Sequence, residues 1–191
     1  MAAIVQAYLV AAAAVLGYMT VWYVIALIRK RNDLADTAWG LGFIMIVALA
    51  VLGQDPISPR LMLVGVLVLA WGVRLAMHVY SRNRGKAEDF RYAQWRKDWG
   101  KWFLIRTYLQ VFLLQGVFML LIAASIVVVG ADGGGAIGWL DGLGVAVWLL
   151  GFVFESVGDA QLKAFVSDPT SRGKILDTGL WRYTRHPNYF G

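Results

Sequence analysis

The residues best suited to chemistry in this sequence lie in its last stretch, Gly179-Leu-Trp-Arg-Tyr-Thr-Arg-His-Pro-Asn-Tyr-Phe-Gly191. Arg182, Arg185 and His186 offer cationic or switchable donors, and Tyr183, Asn188 and Tyr189 set neutral polar groups on or beside aromatic surface. Pro187 fixes its own φ and disfavours a helical conformation at His186. Together they suit a folded loop that presents donors to an anionic, ring-bearing ligand. The same cations would also serve a basic juxtamembrane tail that touches only lipid phosphates. Two further pairs stand out upstream. Glu155 and Asp159 are four residues apart and share a helix face, as are Arg74 and His78.

The elements that must position these groups are apolar. The chain has 191 residues, of which 59% are apolar and 16% charged. A soluble domain carries roughly 25% charged residues and no long uncharged runs. The expected fold class is therefore all-α, an integral membrane helical bundle of about five transmembrane helices. With no cysteine, disulfides, thiol catalysis and Cys-ligated metal are excluded. Only two histidines, His78 and His186, are present, so no metal site is expected. The first apolar run is too long for a signal peptide and lacks a basic leader.

The expected spans are residues 2–28, 37–53, 61–79, 102–129 and 139–162, within a single membrane domain 1–191. Residues 80–101 form a cytoplasmic interfacial segment and 163–191 a cytoplasmic tail carrying the motif. Loop charge fixes the orientation. Three Lys/Arg follow the first span, eight lie from Arg82 to Arg106 and five in the tail, sixteen on one side of the membrane. Opposite them stands one, Arg60. The positive-inside rule places the N-terminus outside and the tail in the cytoplasm. Glu155 then lies about 10 Å from the cytoplasmic end of its span at 1.5 Å per residue. A short carboxylate snorkels badly from that depth, whereas His78, Asp159 and Arg74 can reach the headgroups. Together with Asp33 and Asp36, these groups point to a shared cavity facing the cytoplasm.

Two other patterns carry less. Gly133-Gly-Gly135-Ala-Ile-Gly138 matches G-x-G-x-x-G, but it joins two membrane helices on the outer side, without the preceding strand that a dinucleotide fingerprint needs. It reads as a turn. The segment Arg91-Tyr-Ala-Gln-Trp-Arg-Lys-Asp-Trp-Gly-Lys-Trp mixes basic and aromatic residues as nucleic-acid binders do. Beside a membrane it reads as an interfacial helix with Trp95, Trp99 and Trp102 at headgroup depth, and no nucleic-acid partner is expected.

The tail motif resembles the cofactor-binding signature of the steroid 5α-reductase and sterol-reductase superfamily. The whole chain resembles a bacterial branch of it, membrane proteins of unknown function. Asp36-Thr-Ala-Trp-Gly40, Asn83-Arg-Gly-Lys-Ala-Glu-Asp-Phe-Arg-Tyr92 and Phe154-Glu-Ser-Val-Gly-Asp159 match in the same order. The Arg-His-Pro-x-Tyr core is shared with isoprenylcysteine and phospholipid methyltransferases; Asn188 and the Asn83 block favour the reductases. The resemblance implies NADPH-dependent reduction of a carbon–carbon double bond conjugated to a carbonyl, in a steroid-like or isoprenoid lipid. By motif position it implies a cofactor site of Asn83, Arg84, Lys86, Glu155, Asp159, Tyr183, Arg185, His186, Asn188 and Tyr189. Animal steroid reductases carry a substrate-contacting Tyr on the third span. Trp71-Gly-Val-Arg-Leu-Ala-Met-His78 has none, which leaves Arg74 and His78 as candidate catalytic donors. The family pattern continues past Gly191, so the resemblance also implies a truncated chain. Two alternatives stay open, an S-adenosylmethionine-dependent methyltransferase acting on a prenyl-cysteine or lipid headgroup, and a non-catalytic membrane protein. The expected location is the bacterial inner membrane, with the bilayer and a small lipid substrate as partners.

Overall fold

A computed structural model describes residues 1–133 and 135–190. Gly134 of the glycine-rich match and Gly191 of the tail motif lie outside the described residues. Among those described there is no strand, and five helical stretches are long and apolar enough to cross a membrane: Ala2–Arg29, Leu34–Leu52, Pro59–Asn83, Phe90–Ile122 and Trp139–Ser167. The protein is an all-α membrane helical bundle. The chain divides into two compact units, Met1–Ala136 and the residues from Ile137 onward.

In the first unit, α1 (Ala2–Arg29) ends on Lys30 in the left-handed conformation, φ 53°. The Lys30 N–H reaches the carbonyls of Ala26 and Leu27, and Arg31 N–H donates to the Ala26 carbonyl at 2.9 Å. This Schellman closure turns the chain sharply into buried Asn32 and Asp33. Helix α2 (Leu34–Leu52) follows at once. Its Asp33 and Asp36 lie where a helix N-terminus favours negative charge.

Ser58 caps α3 (Pro59–Asn83) by accepting the Leu61 N–H at 3.2 Å, and Pro59 occupies the first helical position. Gln54, in the turn before it, donates to the carbonyls of Val129 (3.0 Å) and Gly130 (2.8 Å) and accepts from Ser58 N–H at 2.9 Å. Helices α2 and α3 come into close contact at Gly40 and Gly72. A Cβ on either glycine would stand 2.7 Å from the other's carbonyl oxygen, so backbone meets backbone there. Val15, Met19, Ile46, Phe112 and Met119 form the buried centre of this unit. Its outward surface, including Leu9, Leu16, Val66 and Leu121, remains apolar and suits lipid chains.

The remainder of the unit is helical but irregular. Helix α4 (Phe90–Trp99) passes through a 3₁₀ turn (Gly100–Trp102) into α5 (Phe103–Thr107). A π-helical turn (Tyr108–Leu113) then leads into α6 (Leu114–Ile122), and α7 (Ala124–Ala131) follows a break at Ala123. The fourth span, expected at 102–129, therefore belongs to a helical stretch that begins at Phe90. The expected interfacial segment 80–101 is divided between the end of α3 and α4. In α4 the Trp95 and Trp99 rings stack with centroids 5.1 Å apart, and Trp102 is exposed. The second unit is the long helix α8 (Trp139–Ser167) and a tail of short 3₁₀ turns at Pro169–Ser171, Gly179–Arg182 and Pro187–Tyr189. Asp168 opens this tail by accepting Thr170 N–H at 2.9 Å and its hydroxyl at 2.7 Å, which holds its carboxyl below the usual carboxylate range.

Candidate functional site

In the second unit the tail folds back along one face of α8. Glu155, Gly158 and Asp159 are the buried residues of that helix, spaced three and four apart as a single face requires. Gly158 makes the approach possible, since a Cβ there would lie 3.0 Å from the Asn188 backbone nitrogen and 3.3 Å from Pro187 Cγ. Asn188 Nδ2 donates to Asp159 Oδ1 at 3.0 Å. Trp181 Nε1 donates to the Gly158 carbonyl at 3.1 Å, and Leu180 N–H to Gln161 Oε1 at 3.0 Å. The Phe154 and Phe190 rings close the far end with centroids 5.1 Å apart.

Pro187 is buried and Asn188 half-buried, whereas Tyr183, Arg185, His186 and Tyr189 are exposed. The motif thus splits in two: Trp181, Pro187 and Asn188 anchor it, and Arg182, Arg185 and the rings of Tyr183, His186 and Tyr189 stand clear. The His186 ring lies 5.4 Å from that of Tyr189 and 6.3 Å from that of Trp181. Among the described residues, the buried Asn188 Oδ1 and Ser156 Oγ atoms have no hydrogen-bond partner.

In the first unit Arg74 and His78 lie one turn apart on α3, both half-buried. Asn83, Arg84 and Lys86 form one tight turn beyond that helix. Arg84 has φ −63° and ψ 131°, Gly85 has φ 76°, and Lys86 N–H donates to the Asn83 carbonyl at 3.3 Å. These are the dihedrals of a type II β-turn, whose third position requires the positive φ that glycine adopts without strain. Arg84 and Lys86 are exposed on it. The loop continues to Asp89, which caps α4 by accepting Arg91 N–H at 2.9 Å and pairs with the Arg91 guanidinium at 3.0 Å. Those hydrogen bonds hold the Asp89 carboxyl below the usual carboxylate range.

Sequence reasoning missed the groups that hold this loop. Arg31 pairs with Asp33 through two hydrogen bonds, 3.1 and 2.6 Å. Glu88 Oε1 accepts both the Asn32 backbone N–H (2.8 Å) and its side-chain amide (3.0 Å), while Arg96 reaches Glu88 Oε2 at 3.2 Å. Arg31 looks like the last of a stop-transfer run, and no local pattern links Asn32 to a carboxylate 56 residues away.

The comparisons name no activity. An uncharacterised protein of Schizosaccharomyces pombe (strain 972) is 27% identical over 201 aligned residues, covering 92% of this chain and 56% of that protein. The chain therefore spans about half the length of that curated relative. No solved structure matches. The model of the family described as "Protein of unknown function (DUF1295)" matches residues 22–191, nearly the whole chain, and the protein belongs to that family.

Proposed function

We propose that this protein, with the steroid 5α-reductase and sterol-reductase superfamily, reduces a carbon–carbon double bond conjugated to a carbonyl in a flat lipid, using NADPH. The observation that carries the reading is the docking of the 179–190 motif on Gly158 and Asp159, which leaves Arg185, His186, Tyr183 and Tyr189 outward. The residues fit such a nucleotide. Phosphate groups call for cations; in the second unit Arg182 and Arg185 are exposed on the tail, and in the first, taken by itself, Arg84 and Lys86 are exposed on their turn. Asn188 Oδ1 is a buried acceptor without a partner among the described residues, suited to a ribose hydroxyl or an amide N–H. Tyr189 and His186 offer flat surface for a ring. When bound, NADPH supplies a hydride to the electron-poor carbon of the double bond. Arg74 or His78 would donate a hydrogen bond to the carbonyl oxygen as negative charge develops there.

The test is titration of the purified chain with NADPH and with S-adenosylmethionine by calorimetry. NADPH is expected to bind at least tenfold more tightly, and the affinity should fall as salt screens the phosphate contacts. S-adenosylmethionine has no phosphate and carries a sulfonium, which prefers carboxylates and aromatic rings. Tight binding of it without NADPH binding would establish the methyltransferase alternative, and binding of neither would favour a non-catalytic role.

The same reading places the protein in a bacterial inner membrane, N-terminus outside and tail in the cytoplasm. Exposed loop positions test this. Cysteines at Asp55 and Asp132 should react with an impermeant maleimide on intact cells, and one at Ala87 only after lysis. The opposite pattern would reverse the orientation drawn from loop charge.

A further inference from the structure

We infer that Arg31 is a positioning residue whose guanidinium clamps the Asn83–Lys86 turn, so that Arg84 and Lys86 present two fixed cations to a phosphate group of a nucleotide. The inference rests on the reductase reading and extends it to the turn between α1 and α2, a segment that reading leaves without a role.

The geometry is specific to an arginine. Arg31 Nη1 donates to the Lys86 carbonyl at 3.0 Å and Nη2 to the Asn83 carbonyl at 3.2 Å. These are the two ends of the type II turn. Arg31 Nε and Nη2 meanwhile hold Asp33, a buried carboxylate, which fixes the orientation of the fork. A lysine has the charge but not the planar fork, and cannot serve Asp33 and both carbonyls together. Arg31 itself is set by the backbone, because its N–H completes the Schellman closure of α1.

Glu88 secures the far side of the loop through both N–H groups of Asn32. The turn is therefore fixed at Asn83, Lys86 and Glu88, while the Arg84 and Lys86 side chains stay exposed. Two cations on a free loop would lose loop entropy when they grip a phosphate. On a turn already closed, most of that loss has been met on folding.

The test uses the full chain in detergent, with Arg31→Gln, Arg31→Lys, Arg84→Gln and the Arg31→Gln/Arg84→Gln double variant. Two readouts are taken, NADPH affinity per folded molecule and the rate of trypsin cleavage after Arg84 and Lys86. Arg31→Gln is expected to weaken NADPH at least tenfold and to speed cleavage at the turn. Arg31→Lys should not restore either readout. In the Arg84→Gln background, Arg31→Gln should cost clearly less than it does alone, since only the Lys86 contact is left for it to position. A merely structural Arg31 would lower thermal stability with unchanged affinity and additive losses, and that result, or full affinity in Arg31→Lys, would overturn the clamp. A folded, unaltered chain that fails to bind NADPH would instead overturn the reductase reading and the ligand assigned to the turn.

Discussion

Replacing Gly158 with leucine is expected to lift the 179–190 segment from α8 and to remove nucleotide binding while the helices stay formed. A side chain there would run into the Asn188 backbone nitrogen, 3.0 Å from an ideal Cβ, and into the Pro187 ring. Neither can swing aside as the end of a flexible side chain would. Overpacking of this kind costs about 1–3 kcal/mol, roughly a five- to 140-fold shift away from the docked tail. The Asn188–Asp159 and Trp181–Gly158 hydrogen bonds would go with it. Limited trypsin digestion should then cut after Arg182 and Arg185 at least tenfold faster, and NADPH affinity should fall by a similar factor. Gly158→Ala, which brings a single methyl to the same spot, should give a smaller shift in the same direction. An unchanged digestion rate in Gly158→Leu would mean that the tail is held elsewhere.

The second large effect is expected at Gly40 and Gly72. Each lies against the other's carbonyl oxygen, so a leucine at either position must push α2 and α3 apart at this contact. Without a hydrophobic driving force between helices in lipid, close van der Waals contact is a main source of their association. A loss on the order of 3 kcal/mol is expected, read as a lower midpoint of thermal unfolding in detergent. Gly17→Leu is the control, because a Cβ at Gly17 meets nothing within 4 Å. Equal losses at Gly17 and Gly40 would show that helical glycine itself, not the contact, sets the stability.

The sequence made the spans legible because bilayer thickness demands long apolar runs whatever the partners. Their ends were less legible. Hydropathy puts the end of the third span at Val79, yet Tyr80 to Asn83 continue the helix, since a polar residue outside the bilayer is no obstacle to an α-helix. It puts the start of the second at Thr37, although Asp36 lies inside the first turn of α2. Residues 90–131 were legible as apolar and aromatic, but nothing in their composition reveals the positive φ of Gly100 (47°) or the wider turn after Thr107. For the site, the Glu155–Asp159 face followed from spacing alone, and Asn188 gained its partner there. The Arg31–Asp33 and Asn32–Glu88 contacts did not, because they pair residues whose local sequence says only that a turn is present.

The π-helical turn at Tyr108–Leu113 acts as an angular offset along the helix. One residue of an α-helix corresponds to about 100° of rotation. A single extra residue wound into this turn advances everything after it by that angle, with little change in the axis. Before the turn, Phe103 and Thr107 point inward; after it, Gly116 and Met119 do, with Val111 and Phe112 between them. No single heptad register runs through both sets. Point substitutions cannot correct that phase, but losing one residue from 108–113 would, at the cost of turning one half of the helix outward. Homologous chains are therefore expected to tolerate insertions and deletions poorly here, unless the change is matched by an opposite one within the same stretch.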